Sequence, residues 1–111
     1  MGIHRNDLLQ GTLDLFILRA LLVEPQHGWG IARRIRQMTR DIFDVKPGSM
    51  FPALKRLEER GWLASSWAHS ENGRRAKFYR LTRHGRKHAG DEADNWRRVA
   101  AAINWAIEGT S

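Results

Sequence analysis

A change in hydrophobic period after Gly61 constrains the fold of this chain more than any other feature. Before that point apolar residues recur every three or four positions, which is the spacing of amphipathic helices. After it, aromatic and short side chains fill Trp62–Ser70 and Ala76–Leu81, and Asn72-Gly73 lies between these segments. Asn-Gly is a strong signal for a tight β-hairpin turn because both residues tolerate a positive φ. The pattern therefore predicts helices followed by a hairpin.

Amphipathic helices are predicted in three segments before the hairpin. The first runs from about Leu8 to Val23, because Pro25 ends its apolar pattern. The second begins near Gly28, and the third begins at Pro47, since a first helical residue needs no N–H partner. Their buried faces are predicted from these apolar residues: Ile31, Ile35 and Met38 in the second, and Met50, Ala53, Leu54 and Leu57 in the third.

A fourth helix is predicted after the hairpin, from a Thr82 N-cap to about Ile107. A helix-turn-helix followed by a basic hairpin is typical of a winged helix-turn-helix protein, mainly α with one β-hairpin. The length of 111 residues suits a single domain. We expect residues 1–81 to form the winged-helix part and residues 82–111 a long C-terminal dimerisation helix, within one compact unit.

The net charge favours a polyanionic partner. Lys and Arg number 19 against 12 Asp and Glu, which gives +7 at neutral pH. Cations that neutralise phosphates release counterions, and this favours binding to any nucleic acid. The absence of cysteine excludes disulfides and thiolate metal sites. The apolar runs are too short to cross a bilayer and the N-terminus lacks a signal-peptide layout, so we expect a soluble protein without a membrane partner.

The third helix carries the first set of candidate DNA-binding residues. In a helix-turn-helix the N-terminal half of this helix enters the major groove. Small residues there permit close approach, and Ser, Lys and Arg side chains reach bases or phosphates. An ordinary solvated helix face is the alternative for the two cations. The candidates on its exposed face and flank are Gly48, Ser49, Phe51, Pro52, Lys55 and Arg56.

The hairpin supplies the second set of candidates. Its cations are expected at the tip, from which a side chain can reach a phosphate or the minor groove. A solubilising turn is the alternative, but a position directly after a helix-turn-helix favours DNA contacts. His27 adds a contact near the positive end of the second helix. The wing candidates are Asn72, Gly73, Arg74, Arg75 and Lys77.

The last helix carries an apolar stripe that suggests a second subunit. Its residues recur at spacings of three and four, and no later element is available to cover them. Packing of this stripe on the first helix of the same chain is the alternative. The predicted homodimer interface consists of Trp96, Val99, Ile103 and Ile107 with Leu13 and Phe16 of the first helix.

Structural roles are favoured for the other aromatic residues and the histidines. Trp62 and Trp67 are expected to pack under the wing, and Trp29 against the first helix. His84 and His88 have the i, i+4 spacing of metal ligands, but a basic helix start is the favoured interpretation without a third clear ligand. No nucleophile, general base or phosphate-binding loop stands out, so neither an enzyme nor a cofactor is expected.

With these elements in order, the chain resembles the PadR family of bacterial transcriptional regulators. The resemblance covers about residues 8–107 and rests on an ordered set of segments. Those segments are Gly11-Thr12-Leu13-Asp14, Pro25-Gln26-His27-Gly28-Trp29, Phe51-Pro52-Ala53-Leu54, Arg56-Leu57-Glu58, Ser70-Glu71-Asn72-Gly73-Arg74-Arg75, Tyr79-Arg80-Leu81-Thr82, Gly85 and Trp96-Arg97-Arg98.

The resemblance implies a cytoplasmic homodimeric repressor, associated with the nucleoid when bound, of the shorter subclass with one helix after the wing. It also implies release by a small planar aromatic effector bound between subunits. The ring of Trp96 would stack on that ligand, and a pure dimer-core role is the alternative. The chain departs from the family pattern where Phe51 and Trp29 replace the usual Tyr, and where Lys46-Pro47 replaces a polar helix cap.

We therefore expect a sequence-specific transcriptional regulator that binds double-stranded DNA as a homodimer. A dimerising protein-interaction module with a degenerate wing is the alternative that these departures leave open. RNA binding is disfavoured, because the sequence predicts no exposed aromatic residues on the sheet for bases to stack on.

Overall fold

The computed structural model describes residues 5–109, with side chains from residue 11 onward. It confirms the predicted winged-helix architecture and adds one short strand. The first helix ends at Ala20, earlier than the predicted Val23. The elements are α1 (Arg5–Ala20), β1 (Gln26–His27), α2 (Gly28–Met38), α3 (Pro47–Glu59), β2 (Leu63–His69), β3 (Arg75–Leu81) and α4 (Arg83–Glu108).

A single hydrophobic core joins α1, α2 and α3 to the sheet and to the start of α4. Removing a large apolar side chain from water contributes roughly 1.5–3 kcal/mol, so these contacts hold α3 in place. Met38 was predicted to face this core but is 43% exposed, because it is the last residue of α2. The largest buried side chains are Ile17, Leu18, Leu21, Ile31, Ile35, Met50, Leu54 and Leu57.

Local signals fix where α2 and α3 begin and end. Nδ1 of His27 accepts a hydrogen bond from the backbone N–H of Gly30 at 3.1 Å, which caps α2. Pro47 is the first residue of α3, as predicted, and Lys46 before it makes no side-chain cap bond. After α3, Gly61 has a φ of +80°, a backbone conformation that favours glycine.

The sheet contains a strand that the sequence analysis missed. β1 pairs antiparallel with β3 through Gln26↔Tyr79 and His27↔Phe78, and the strand order is β1-β3-β2. A strand of two residues shows no alternation of side chains, so its sequence carries no period to detect. Its pairing fixes the N-terminus of α2 beside the wing.

The turn between β2 and β3 uses a different geometry from the predicted one. The N–H of Gly73 donates to the carbonyl of Ser70 at 2.8 Å, and the N–H of Ser70 donates to the carbonyl of Arg74 at 2.7 Å. Gly73 has a φ of +77°, whereas Asn72 is not in the positive region. The connection is therefore a longer loop with glycine in the left-handed position, rather than a two-residue Asn-Gly turn.

The helix α4 begins at a tight junction and extends beyond the core. The hydroxyl of Thr82 accepts a hydrogen bond from the N–H of Gly85 at 3.0 Å, which confirms the predicted N-cap. Gly85 is buried against the backbone of Trp62. At the other end Ile107 is 77% exposed, and the described chain measures 58 × 28 × 24 Å. The C-terminal half of α4 thus leaves its apolar side chains largely uncovered.

Candidate nucleic-acid interface

The exposed face of α3 begins in the first turn of the helix. Gly48, Ser49, Phe51, Pro52 and Lys55 are all exposed, as their positions in the sequence predict. The first turn contains no acidic residue, and the N-terminus of a helix carries a partial positive charge. A Cβ atom added at Gly48 would meet nothing within 4 Å, so the backbone of the helix is open to solvent there. This face can lie close to a polyanion.

The wing places Arg74 and Arg75 at its tip. Arg74 is exposed in the loop, and the guanidinium of Arg75 lies 4.8 Å from the centroid of the Trp67 ring. Lys77 lies further along β3, opposite Trp67, and its Nζ is 3.6 Å from a carboxylate oxygen of Glu58. The prediction that Lys77 lies at the tip is wrong, because β3 begins at Arg75 and the α3 carboxylate attracts the amine.

A groove of about 830 Å³ runs between the wing and the N-terminal ends of α2 and α3. Trp29 and Arg33 of α2, Phe51 of α3 and Arg74 of the wing all line it. The guanidinium of Arg33 lies 3.7 Å from the carboxylate of Glu71, so this ion pair joins α2 to the wing. Both side chains are well exposed, and such pairs contribute at most about 1 kcal/mol. The groove connects the exposed face of α3 with the wing.

His27 lies at the edge of this groove, with its ring already held in place. It meets the ring of Phe78 edge-on, with centroids 5.2 Å apart. Because Nδ1 accepts the Gly30 N–H, a neutral imidazole carries its proton on Nε2. The Nε2–H group is the one available to donate to a phosphate.

Arg56 does not belong to the exposed face. Its guanidinium forms an ion pair and hydrogen bond with the carboxylate of Asp14 in α1. The side chains of Asp14 and Arg56 are only 15% and 25% exposed. The contact directs the Arg56 side chain toward α1 and away from the exposed face, contrary to its predicted DNA-binding role. It instead ties the helix that carries the exposed face to α1.

Burial raises the pKa of Asp14, and the nearby Arg56 guanidinium offsets only part of this effect. A folded-state pKa above the unfolded value of 3.8 means that the folded protein binds this proton more tightly. The contribution of Asp14 to stability therefore increases as the pH falls through its folded pKa. This is the reverse of the usual behaviour of a paired carboxylate.

Replacing Arg56 with alanine should lower the free energy of unfolding by about 2 kcal/mol at neutral pH, because it leaves a mostly buried carboxylate without its cation. The loss should shrink as the pH is lowered, because Asp14 then becomes neutral in the folded state. Urea unfolding at neutral and at acidic pH measures this difference. Adding Asp14→Asn to the Arg56→Ala variant should restore part of the stability at neutral pH. An additive double-mutant cycle would show that the two side chains are not coupled.

The tryptophans are distributed differently from the predicted core. Trp29 is 72% exposed and Trp67 is 58% exposed, so both core predictions are wrong. Trp29 lies in the first turn of α2, and Trp67 lies on the same face of β2 as buried Leu63 but nearer the wing tip, beyond the part of the strand that the core covers. Trp62 is partly buried and stacks on His88, with ring centroids 3.6 Å apart. The sequence does carry one signal for the exposure of Trp29: its neighbours Gly28 and Gly30 have no side chains that could pack against its ring.

The residues of the predicted dimer interface differ in how far they are exposed. Ile103 and Ile107 are 51% and 77% exposed, whereas Val99 and Trp96 are partly covered. A Cβ atom at Gly11 would lie 3.7 Å from the Trp96 ring, so this tryptophan packs against α1. Leu13 and Phe16 of α1 are partly buried against the core, and Phe16 also lies against the ring of Phe43.

Neither a cluster of metal-ligand side chains nor a membrane-spanning helix is found among the residues that the structure describes. No group of three or more His, Asp or Glu side chains in residues 11–109 is arranged to hold a metal ion. His84 is exposed, and His88 lies 3.6 Å from Glu92 while stacking on Trp62. Over the same range, no helix combines the length and apolar character needed to span a bilayer.

Comparison with solved structures finds close matches to this architecture. A transcriptional regulator from Clostridium thermocellum is 27% identical, with a TM-score of 0.77 over 92% of this chain and 96% of the other. A PadR family transcription regulator from hypervirulent Clostridium difficile is 30% identical, with a TM-score of 0.74 over 86% of this chain and 97% of the other. Both matches cover most of this chain and nearly all of the other protein.

Sequence comparisons agree with the structural ones. An uncharacterized protein from Lysinibacillus sphaericus is 28% identical over 95% of this chain and 96% of its own length. The sequence model described as the transcriptional regulator PadR-like family matches residues 17–91, from the last turn of α1 into α4. The matched range contains α2, α3 and the wing in the order found here. The chain therefore belongs to the PadR-like family of transcriptional regulators.

Proposed function

We propose that this protein binds specific sites in double-stranded DNA as a homodimer and represses transcription. The observation that carries the proposal is the shared surface formed by the exposed face of α3 and the wing. Gly48, Ser49 and Lys55 would meet the edges of bases and the flanking phosphates in the major groove. Arg74 and Arg75 would contact the phosphates beside it. His27, Phe51, Pro52, Asn72 and Gly73 complete the proposed contact surface.

The homodimer is supported by the uncovered apolar side chains of α4. Ile103 and Ile107 are more than half exposed, and an apolar stripe on a helix gains stability when a partner covers it. A twofold axis would place two copies of α3 on the same side of the DNA, about 34 Å apart. We propose residues 82–111 as the main dimerisation segment and residues 1–81 as the DNA-binding part.

Release by a small planar effector remains a prediction of the family resemblance. Trp96 lies against α1 and is only partly exposed, so in a homodimer its ring would border the other subunit. An effector that stacks on this ring should quench tryptophan fluorescence in the wild-type protein. In that role, Trp96→Ala would lose both the quenching and the release from DNA.

Removing the two wing arginines should weaken DNA binding and make it less dependent on salt. For the Arg74→Ala/Arg75→Ala variant we expect about ten-fold weaker binding at low salt. We also expect the slope of log affinity against log salt concentration to become shallower by up to about two. Fluorescence anisotropy at two salt concentrations, on DNA from upstream of its own gene and on random duplex, measures both quantities.

The matched control removes two arginines from α4. Arg97 is paired with Asp94, and Arg98 is bonded to Asn95, away from the proposed surface. Arg97→Ala/Arg98→Ala has the same net charge as the wing variant and should retain most of the affinity. The proposal of sequence-specific DNA binding would be contradicted if the protein bound both duplexes weakly and equally and if the wing variant bound them as the wild type does. That result would favour the protein-interaction module.

A further inference from the structure

Three aromatic side chains meet water around the groove between the wing, α2 and α3. Trp29 is 72% exposed, Phe51 48% and Trp67 58%, and all three line the same groove. They come from α2, α3 and β2 respectively. A large exposed aromatic side chain gains little from folding, so several around one groove mark a binding surface. Its volume of about 830 Å³ is within the usual size range of ligand sites.

Duplex DNA does not account for the two tryptophan rings. In a duplex the faces of the bases stack on one another, and only base edges and the sugar-phosphate backbone are open to a protein. Trp29 and Trp67 have no hydrogen-bond donor except the indole N–H. Their faces therefore remain without a stacking partner in a duplex complex. An unstacked base provides the flat surface that an indole ring binds well.

The charges around the groove fit a nucleotide rather than a neutral aromatic molecule. Four cations line it: Arg33, Arg74, Arg75 and Lys77. Arg33 lies 3.7 Å from the carboxylate of Glu71 and Lys77 lies 3.6 Å from that of Glu58, so Arg74 and Arg75 supply the excess positive charge. The Arg75 guanidinium lies 4.8 Å from the Trp67 ring, so a cation and a stacking surface are adjacent. Stacking rings interleaved with cations are typical of sites that bind single-stranded nucleic acid.

We propose that this groove binds an unstacked nucleotide, with its base against Trp67 and its phosphate near the arginines; in a strand, a neighbouring base lies against Trp29. The nucleotide belongs either to a single strand of DNA or to a free mononucleotide, and both offer the same base and phosphate. The two tryptophans lie outside the proposed duplex surface, whereas Arg74 and Arg75 belong to both. Binding of the nucleotide would let the protein hold a strand where a duplex opens, or respond to a nucleotide in solution.

The test compares ligands that share phosphates but differ in their bases. The full-length protein is titrated with a labelled single strand of about ten nucleotides, within the usual site size. The same titration uses a strand of equal length built from abasic sites, the corresponding duplex, and deoxyguanosine monophosphate. Binding is followed by anisotropy for the strands and by tryptophan quenching for the mononucleotide. We expect the strand with bases to bind about ten-fold more tightly than the abasic strand.

Matched tryptophan variants locate the site. Trp67→Ala and Trp29→Ala should each weaken binding of the strand with bases by about ten-fold and leave the abasic strand unchanged. Trp67→Phe keeps a ring and should retain most of the affinity. Trp105→Ala is the control, because Trp105 is 63% exposed on α4 and does not line the groove. Circular dichroism checks that each variant is folded.

Either source of the nucleotide would support the proposal. Quenching by deoxyguanosine monophosphate that Trp67→Ala abolishes would identify a free nucleotide as a ligand, and binding of the strand alone would identify single-stranded DNA. Equal affinity for the normal and abasic strands would overturn it, since only phosphate attraction would remain. An equal loss of duplex and single-strand binding in the groove variants would also overturn it, because the rings would then serve duplex binding. A loss of single-strand binding in Trp105→Ala as large as the loss in the groove variants would overturn it as well.

Discussion

Gly85→Ala should lower the free energy of unfolding by about 3 kcal/mol, at the upper end of the usual cost of forcing extra volume into a packed site. A Cβ atom at Gly85 would lie 1.9 Å from the carbonyl oxygen of Trp62 and 2.8 Å from its carbonyl carbon. Both atoms belong to the backbone, so no side-chain rotation can relieve the clash. The start of α4 must move away from the start of β2.

That movement would break a group of hydrogen bonds around Thr82. Its hydroxyl accepts from the N–H of Gly85 at 3.0 Å and donates to the carbonyl of Gly61 at 2.7 Å. Its own N–H donates to the carbonyl of Trp62 at 3.0 Å. These bonds join the end of α3, the start of β2 and the N-terminus of α4. A single methyl group therefore affects the whole junction.

The control for this variant is Gly90→Ala in the same helix. A Cβ atom at Gly90 would meet nothing within 4 Å, so alanine should raise the free energy of unfolding by about 0.5–1 kcal/mol through its better helix propensity. Urea unfolding at one fixed protein concentration measures both variants, because the proposed dimer would make stability depend on concentration. Unfolding of Gly85→Ala at the wild-type urea midpoint would contradict the close packing at this junction.

Ile103→Glu should dissociate the proposed homodimer and weaken binding to a two-half-site DNA by about 100-fold or more. A carboxylate on the apolar stripe would have to lose its water when a partner covers it. The two DNA-binding parts would then bind independently, and linked binding commonly adds about 10²–10⁴ in affinity. Binding to DNA with one half-site should change much less.

Sedimentation equilibrium and titration of both DNA molecules measure these effects. Asn104→Glu is the matched control, because the neighbouring residue receives the same side chain about 100° around the helix. It should keep the dimer and most of the affinity. A dimer of Ile103→Glu with wild-type stability would show that this stripe is not the interface.

The helices and hairpin could be predicted because their signals are local. Pro47 and Thr82 set the starts of α3 and α4, and Gly61 marks the end of α3, each through the backbone of its own neighbours. The exposed face of α3 followed from the spacing of its apolar residues in the same way. Family membership followed from these signals in order along the chain.

Other features depend on contacts between distant segments. β1 exists because Gln26 and His27 meet β3, and Arg56 turns from the exposed face because Asp14 lies within reach. Neither contact has a spacing that a single sequence can show. The exposure of Trp29 and Trp67 was missed for a different reason, because large apolar side chains are usually buried. Trp29 lies in the first turn of α2, and Trp67 lies toward the wing tip, beyond the buried start of β2.

The ion pair between Asp14 and Arg56 has a consequence for the tolerance of the protein toward its DNA sites. It joins α1 to α3 within one subunit, so α3 cannot easily tilt or slide by itself. In a homodimer, a site whose halves are one base pair further apart would require about 3.4 Å of additional separation and a rotation about the DNA axis. With α1 and α3 moving as one rigid body, the entire subunit must reorient to follow. The angle between the subunits, rather than the flexibility of α3, would then determine which half-site spacings the protein can bind.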